Sequence, residues 1–342
     1  MTVNIQVLLK SRPTGQPSTD NFEIKEIKIP DIQNGQILTR TIYLSLDPYM
    51  RGRMSDAKSY AEPVPLGSVM IGGAVGIVEK SKNDRFDEGD IVVTHTGWQS
   101  YAICDGRGVR KLNPSSAPIS TALGVLGMPG MTSYVGLKHI GVPVEGETLV
   151  VAAATGPVGA TVGQIAKING CRTVGIAGGA EKCAYAESEF GFDICINHKS
   201  NNFTDELAAA CPNGIDIYWE NVAGPVLEAV IPHLNFFSRM PVCGLISQYS
   251  MTDPPNGKDY LPLLMRCILT NRTKVQGFIV TDYNTDFKEF ISTMTDWVES
   301  KRIVFKEHRV IGLESAPEGL LELLEGNNFG KTIVEVSEDP TV

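Results

Sequence analysis

The chain has 342 residues, 42% of them hydrophobic and 20% charged, enough for two soluble domains with substantial cores. Thirty Lys and Arg against 39 Asp and Glu leave a net charge of −9, which argues against nucleic acid or an anionic membrane as a bulk partner. No apolar run reaches the roughly 18 residues of a membrane span, and MTVNIQVLLKSRP has neither a basic leader nor a small-residue cleavage site, so a cytoplasmic location is expected.

The seven cysteines (Cys104, Cys171, Cys183, Cys195, Cys211, Cys243 and Cys267) are odd in number and show no CxxC or repeated spacing. Buried free thiols are expected rather than a disulfide framework. The five histidines are scattered, and no zinc cage follows from their spacing.

In chain order, residues 1–120 read as β-rich. GQILTRTIYLSL (35–46), GGAVGIVEK (72–80) and DIVVTHTGWQSYAIC (90–104) are β-branched runs separated by Pro, Gly and Asp, the pattern of a small barrel or curled sheet. Between the first two lies DPYMRGRMSDAKSYAEPVPLG (47–67), which lacks periodicity and reads as a long surface loop, a common place for function. From residue 121 strand-like and helix-like stretches alternate. TVGIAG (173–178), FDICIN (192–197), IDIYWENV (215–222), RMPVCGLI (239–246) and KVQGFIV (274–280) are the strands. EKCAYAESEF (181–190), FTDELAAAC (203–211), PVLEAVIPHL (225–234) and TDFKEFISTMTDWVES (285–300) are the helices. This alternation predicts an α/β fold with a doubly wound parallel sheet.

The segment opening that alternation, LVVAAATGPVGATVGQIA (149–166), carries the most information. An apolar run is followed by a turn with Gly156 and Gly159, then by a helical pattern with Val158, Val162, Ile165 and Ile168 inside. Strand, glycine turn and helix form the first half of a dinucleotide-binding unit, with Ala154 where the first glycine usually stands. Gly156 would let the backbone approach a pyrophosphate, Gly159 would let the helix pack on the strand, and the helix-start amides would face the phosphates. NAD-preferring units close the second strand with a carboxylate that holds the ribose hydroxyls. Here that position is Gly178, followed by Gly179, with Lys182 nearby, a combination that accepts a ribose phosphate and predicts NADPH.

YLSLDPYMRGRM (43–54), LGVLGMPGMTSYVGL (123–137), AAATGPVGATVGQIAK (152–167), AGGAEKC (177–183), IDIYWENV (215–222), VCGLISQY (242–249) and NNFGK (327–331) together resemble the zinc-independent medium-chain dehydrogenase/reductases. Within them they resemble the prostaglandin/leukotriene reductase group, and most closely its NADPH-dependent curcumin/dihydrocurcumin reductases. The resemblance implies a GroES-like catalytic domain (1–120, completed by 303–342), a Rossmann NADPH-binding domain (121–302), and a cleft that takes the cofactor. Zinc-dependent relatives carry a Cys at about Leu44 and a Gly-His-Glu where this chain has Ile71, Gly72 and Gly73; they also carry a four-cysteine lobe, missing here. No metal is expected.

Without a Lewis acid, the implied chemistry is hydride addition to the β-carbon of a conjugated enone, with a hydroxyl donor steadying the enolate. The resemblance gives this role to tyrosines; Tyr49, Tyr60 and Tyr249 are the candidates, and a phenol that keeps its proton at neutral pH suits it. It also implies Gly156, Pro157, Val158 and Gly159 at the pyrophosphate and Lys182, beside Gly178 and Gly179, at the 2′-phosphate. On the nicotinamide side it places Asn221, Cys243, Gly244, Leu245, Ile246, Ser247, Gln248, Tyr249, Phe278, Ile279, Val280 and Asn328. Thr94 and His95 sit where relatives touch substrate, and His198 stands where relatives have a cofactor-contacting tyrosine. Small apolar enones, curcumin-like or alkenal, are the expected substrates; NADP-dependent oxidation of a secondary alcohol and non-catalytic NADPH binding stay open. A homodimer through the sheet edge around KVQGFIV is implied too.

Overall fold

The computed structural model describes residues 3–253 and 259–342. Met1 and Thr2, the start of the segment read as lacking a leader, lie outside the described residues. The chain forms two compact units, one of residues 1–123 with 307–342 and one of residues 124–306.

The second unit is built on a parallel sheet of six strands among the described residues: β1 (Thr148–Ala152), β2 (Arg172–Ala177), β3 (Ile194–Asn197), β4 (Ile215–Trp219), β5 (Leu234–Val242) and β6 (Lys274–Gly277). Their spatial order is β3-β2-β1-β4-β5-β6, all neighbours parallel, so the order reverses between β1 and β4. Helices α1 (Pro157–Ile168), α2 (Ala180–Ser188), α3 (Phe203–Ala210) and α4 (Gly224–Val230) make the crossovers. Every residue of β1 is buried, as a central parallel strand requires. Val162 and Ile165 of α1 are buried as expected, whereas Val158 and Ile168, at its ends, are only half-buried.

Among the described residues the unit is completed by the helix Met128–Gly136, α5 (Leu261–Asn271) and α6 (Phe287–Glu299). No helix is read from the sequence over LPLLMRCILTN, where apolar residues extend well beyond the inward face of Leu264, Cys267 and Ile268. Only Cys267 of α5 is buried, while Leu261, Met265 and Leu269 are 61%, 55% and 77% exposed.

The first unit holds a mixed sheet. Glu307–Ile311 runs parallel to Lys331–Glu335, which pairs antiparallel with Ile37–Ser45; Ala74–Ser81, Ile91–Thr94 and Arg110–Lys111 follow. The run read as one strand over 90–104 is two, Ile91–Thr94 and Tyr101–Cys104, and the latter pairs with Ile37–Ser45. Between them Gly97, at φ +79°, turns the chain so that Trp98 is fully buried against Phe22, ring centroids 5.5 Å apart.

The stretch 47–67 is not all surface loop. It contains the short helix Tyr49–Arg53, and Met50, Met54 and Val64 enter the core. Arg12 donates to the carbonyls of Met54 (3.0 Å) and Val64 (3.2 Å), tying the loop down at both ends. Aperiodic sequence hid this anchoring, because the buried residues answer to distant partners rather than to a repeat.

Candidate active site

The β1–α1 turn has the geometry of a phosphate cradle. Gly156 is the N-cap of α1 and receives no side-chain cap, and Pro157 follows at the first helical position, where its missing N–H costs nothing. A Cβ on Gly159 would stand 2.2 Å from the Ala153 carbonyl oxygen, so only glycine lets α1 sit this close to the strand end. A Cβ on Gly156 would stand at an ordinary 3.4 Å from the same oxygen. Its bareness is therefore not needed by the protein's own packing, and it leaves the turn open to a ligand. Ala153 takes up the turn at φ +55°.

The switch point between β1 and β4 is closed by side chains. Asn221 Nδ2 donates to Ala152 O at 2.8 Å, and Trp219 Nε1 donates to Asn221 Oδ1 at 3.1 Å. Glu220, a residue the sequence reading did not single out, is buried and accepts the N–H groups of Val222 (2.6 Å) and Ala223 (2.7 Å). Burial raises its pKa, and these hydrogen bonds oppose the rise. The signal was present in IDIYWENV as a carboxylate directly after the apolar run Ile217-Tyr218-Trp219.

The loop after β5 folds onto this corner. Cys243 N–H and Gly244 N–H donate to Glu220 O, Ile246 N–H to Asn221 O, and Ser247 N–H and its hydroxyl to Val222 O. Tyr249 turns back over the loop, its hydroxyl accepting the Leu245 N–H at 3.3 Å, while Ser247 and Gln248 are exposed. Burial pushes the Cys243 thiol up to about 12, which removes it as a nucleophile. Phe278 is held edge-on to Trp219, centroids 5.8 Å apart, with Ile279 and Val280 half-buried after it. The structure thus brings Asn221, Cys243 to Tyr249 and Phe278 to Val280 to the carboxyl ends of β4, β5 and β6.

Tyr49, Tyr60, Thr94, His95 and Asn328 lie in the first unit, and Val158, Gly178, Gly179, Lys182 and His198 in the second. Burial, then the charges of Asp47 and Tyr60, raises the pKa of Tyr49, with Arg53 opposing. The phenol therefore keeps its proton across the working pH range and faces the more exposed Tyr60. Asp47 is buried and accepts Lys331 Nζ at 2.7 Å and the Ser45 hydroxyl, and Lys331 Nζ also donates to Leu46 O at 2.6 Å. Neither Asp47 nor Lys331 was singled out in the sequence. Asn328 Nδ2 donates to Gly330 O at 2.9 Å. Thr94 is buried with its hydroxyl 2.8 Å from that of Thr96; His95, next to it, is exposed, although desolvation along its inner edge lowers its pKa.

The positions that bind zinc in zinc-dependent relatives are apolar here. Leu44 is fully buried, and a Cβ on Gly72 would lie 3.1 Å from Leu44 Cδ1 and 3.2 Å from Met50 Cε. Among the described residues no group of three or more His, Cys, Asp or Glu is placed to hold a metal ion.

Comparison with known proteins bears on this arrangement. A family described as the N-terminal domain of oxidoreductase matches residues 5–112, and one described as zinc-binding dehydrogenase matches residues 157–296. The chain is 52% identical over 337 residues to an NADPH-dependent curcumin reductase of Escherichia coli, covering 98% of both. It is 40% identical over 333 residues to a prostaglandin reductase 1 of Rattus norvegicus, covering 96% of this chain and 97% of the relative. The crystal structure of CurA from Vibrio vulnificus in complex with NADPH superposes with a TM-score of 0.95 at 52% identity, over 98% of this chain and 100% of that one. The chain belongs to the medium-chain dehydrogenase/reductases, in the zinc-independent group that contains the prostaglandin and curcumin reductases.

Proposed function

We propose that this protein is an NADPH-dependent reductase of the carbon–carbon double bond of α,β-unsaturated ketones and aldehydes, acting on bulky apolar enones of the curcumin type. The observation that carries the reading is the β1–α1 turn, open at Gly156, joined to a second-strand end with no carboxylate at Gly178 and Gly179 and with Lys182 on the helix that follows. Relatives that match the chain along nearly their whole length bear the names of NADPH-dependent curcumin reductase and prostaglandin reductase 1. In this reading residues 1–120 with 303–342 form the catalytic domain and 121–302 the cofactor domain.

NADPH, when bound, supplies the hydride. The chain's own residues hold it: Gly156, Pro157, Val158 and Gly159 at the pyrophosphate, Lys182 at the 2′-phosphate, and Asn221, the 243–249 loop, Phe278 to Val280 and Asn328 around the nicotinamide. Negative charge then develops on the substrate's carbonyl oxygen. A phenol donates a hydrogen bond to it, from Tyr249 in the first place, with Tyr49 and Tyr60 as the other candidates. Burial, with the Asp47 carboxylate adding to it, keeps Tyr49 protonated, so the donor persists at alkaline pH.

The test is NADPH oxidation across curcumin, a long-chain 2-alkenal and a 15-oxo-prostaglandin, with a secondary alcohol and NADP⁺ as contrast. Enone turnover is expected with NADPH and little with NADH. Tyr249→Phe is expected to lower kcat about 10²-fold, the usual effect of losing one oxyanion donor. Losses below about threefold in kcat/KM (roughly 0.65 kcal/mol) for Tyr→Phe at all three positions would remove the donor assignment. Activity with the alcohol alone would favour the dehydrogenase, and NADPH binding without any turnover a non-catalytic protein.

The reading includes a homodimer. β6 is the sheet's edge, Val275 on it is 37% exposed, and the apolar side chains of α5 lie beside it in the sequence. An open edge flanked by apolar surface is an association site. Sedimentation should give a dimer at micromolar concentration and a monomer for Leu269→Lys/Val275→Lys; a monomeric parent protein would end the proposal.

A further inference from the structure

The ends of β2 and β3 gather titratable groups around one bare turn. Gly179, at φ +134°, has no heavy atom within 4 Å of where a Cβ would stand. A Cβ on Gly178 would stand 3.1 Å from His198 Nε2 and 3.5 Å from Lys199 Cε, so the imidazole and the lysine stem border the turn. His198 N–H donates to Ala177 O at 3.0 Å, tying the residue to the last position of β2. Lys182 enters from the first turn of α2, whose N-cap brings no side-chain acceptor.

Positive charge therefore dominates this corner. Burial and the charges of Lys199 and Lys182 lower the pKa of His198; burial and Lys199 lower that of Lys182, with Glu181 opposing. From α3, the Glu206 carboxylate is engaged with the Ser200 hydroxyl at 2.8 Å. A doubly negative group would relieve this crowding, and the imidazole Nε2 borders the bare turn at Gly178.

Resting on the NADPH reading above, we propose that His198 is a ligand of the phosphate on the adenosine ribose and takes up a proton as NADPH binds, whereas NADH, lacking that phosphate, binds without uptake. In the free protein the imidazole is neutral at neutral pH. Beside a phosphate the imidazolium is favoured, so the pKa of the group is higher in the complex than in the free chain. The sign follows: NADPH affinity is greatest at low pH and falls as pH rises from the free value through the bound one. The 2′-phosphate itself loses its second proton near pH 6, roughly, so the informative range lies above that.

The test is calorimetric titration of the full chain with NADPH and with NADH between about pH 6.5 and 8.5, in two buffers of different ionisation enthalpy. The Kd for NADPH should rise about threefold to tenfold over that range, and the measured heat should change with the buffer in the sense of proton uptake. NADH should show neither effect. His198→Gln, at an exposed position, should abolish both for NADPH while preserving the preference over NADH through Lys182 and Lys199. An unchanged pH slope and uptake in His198→Gln, or their absence from the parent protein, would overturn the role of His198. If NADPH bound no better than NADH at every pH, the cofactor reading itself would fall with it.

Discussion

Lys331→Met is expected to destabilise the protein by about 3–5 kcal/mol, because it leaves a buried carboxylate without its counter-charge. The Lys331 and Asp47 side chains are 4% and 6% exposed, and the ammonium also satisfies the Leu46 carbonyl. Burial lowers the Lys331 pKa and Asp47 opposes this, so each charge is tolerated only because of the other. The double variant Lys331→Met/Asp47→Asn should recover most of the loss, since a neutral pair carries no stranded charge. Urea unfolding of the parent protein and both variants measures this. A single variant within about 1 kcal/mol of the parent would mean that water reaches the pair. The ion pair also bears on chemistry. Asp47 lies two residues before Tyr49, so the strand Lys331–Glu335 fixes where the candidate tyrosine begins its helix.

Gly159→Ala carries the second large effect. The added methyl would meet Ala153 O at 2.2 Å and Ala153 C at 2.8 Å, and these are backbone atoms that cannot swing aside. Helix α1 must lift from the strand end, at about 1–3 kcal/mol for overpacking. A displacement of about 1 Å at the pyrophosphate turn would cost on the order of 10²-fold in kcat/KM with NADPH. Gly156→Ala is the contrasting variant, because its methyl meets only an ordinary contact at 3.4 Å. It should leave the melting temperature near the parent value and, if the proposed cofactor site is right, still weaken NADPH binding, since the methyl would then stand in the path of the pyrophosphate. Equal melting temperatures for the two variants would show that the turn is slack and that Gly159 has no packing role.

How much of this was legible in the sequence depended on the kind of information. The central strand, the glycine turn and α1 were readable because local backbone geometry demands those residue types in that order. Leu44, Ile71, Gly72 and Gly73 declared the loss of zinc ligands directly, since a metal site needs particular atoms at particular positions. Regular β-α alternation likewise set the doubly wound sheet, because burial on both faces is written into each apolar strand. Helix α5 escaped because its apolar residues do not mark a buried face; most of them are exposed.

Tertiary structure alone decided the polar partnerships. Asp47 and Lys331 are 284 residues apart in sequence, Asn221 and Ala152 are 69 apart, and no periodicity links either pair. His198 looked like a lone departure from a tyrosine until the parallel pairing of β2 with β3 set it against Gly178 and Lys182. Hydrophobic patterns state which face of an element is buried, and the sequence by itself determined the strands of the parallel sheet, most of their crossover helices and the glycine turn. Which buried charge meets which is settled only when the chain closes, because an isolated polar residue carries no record of its partner.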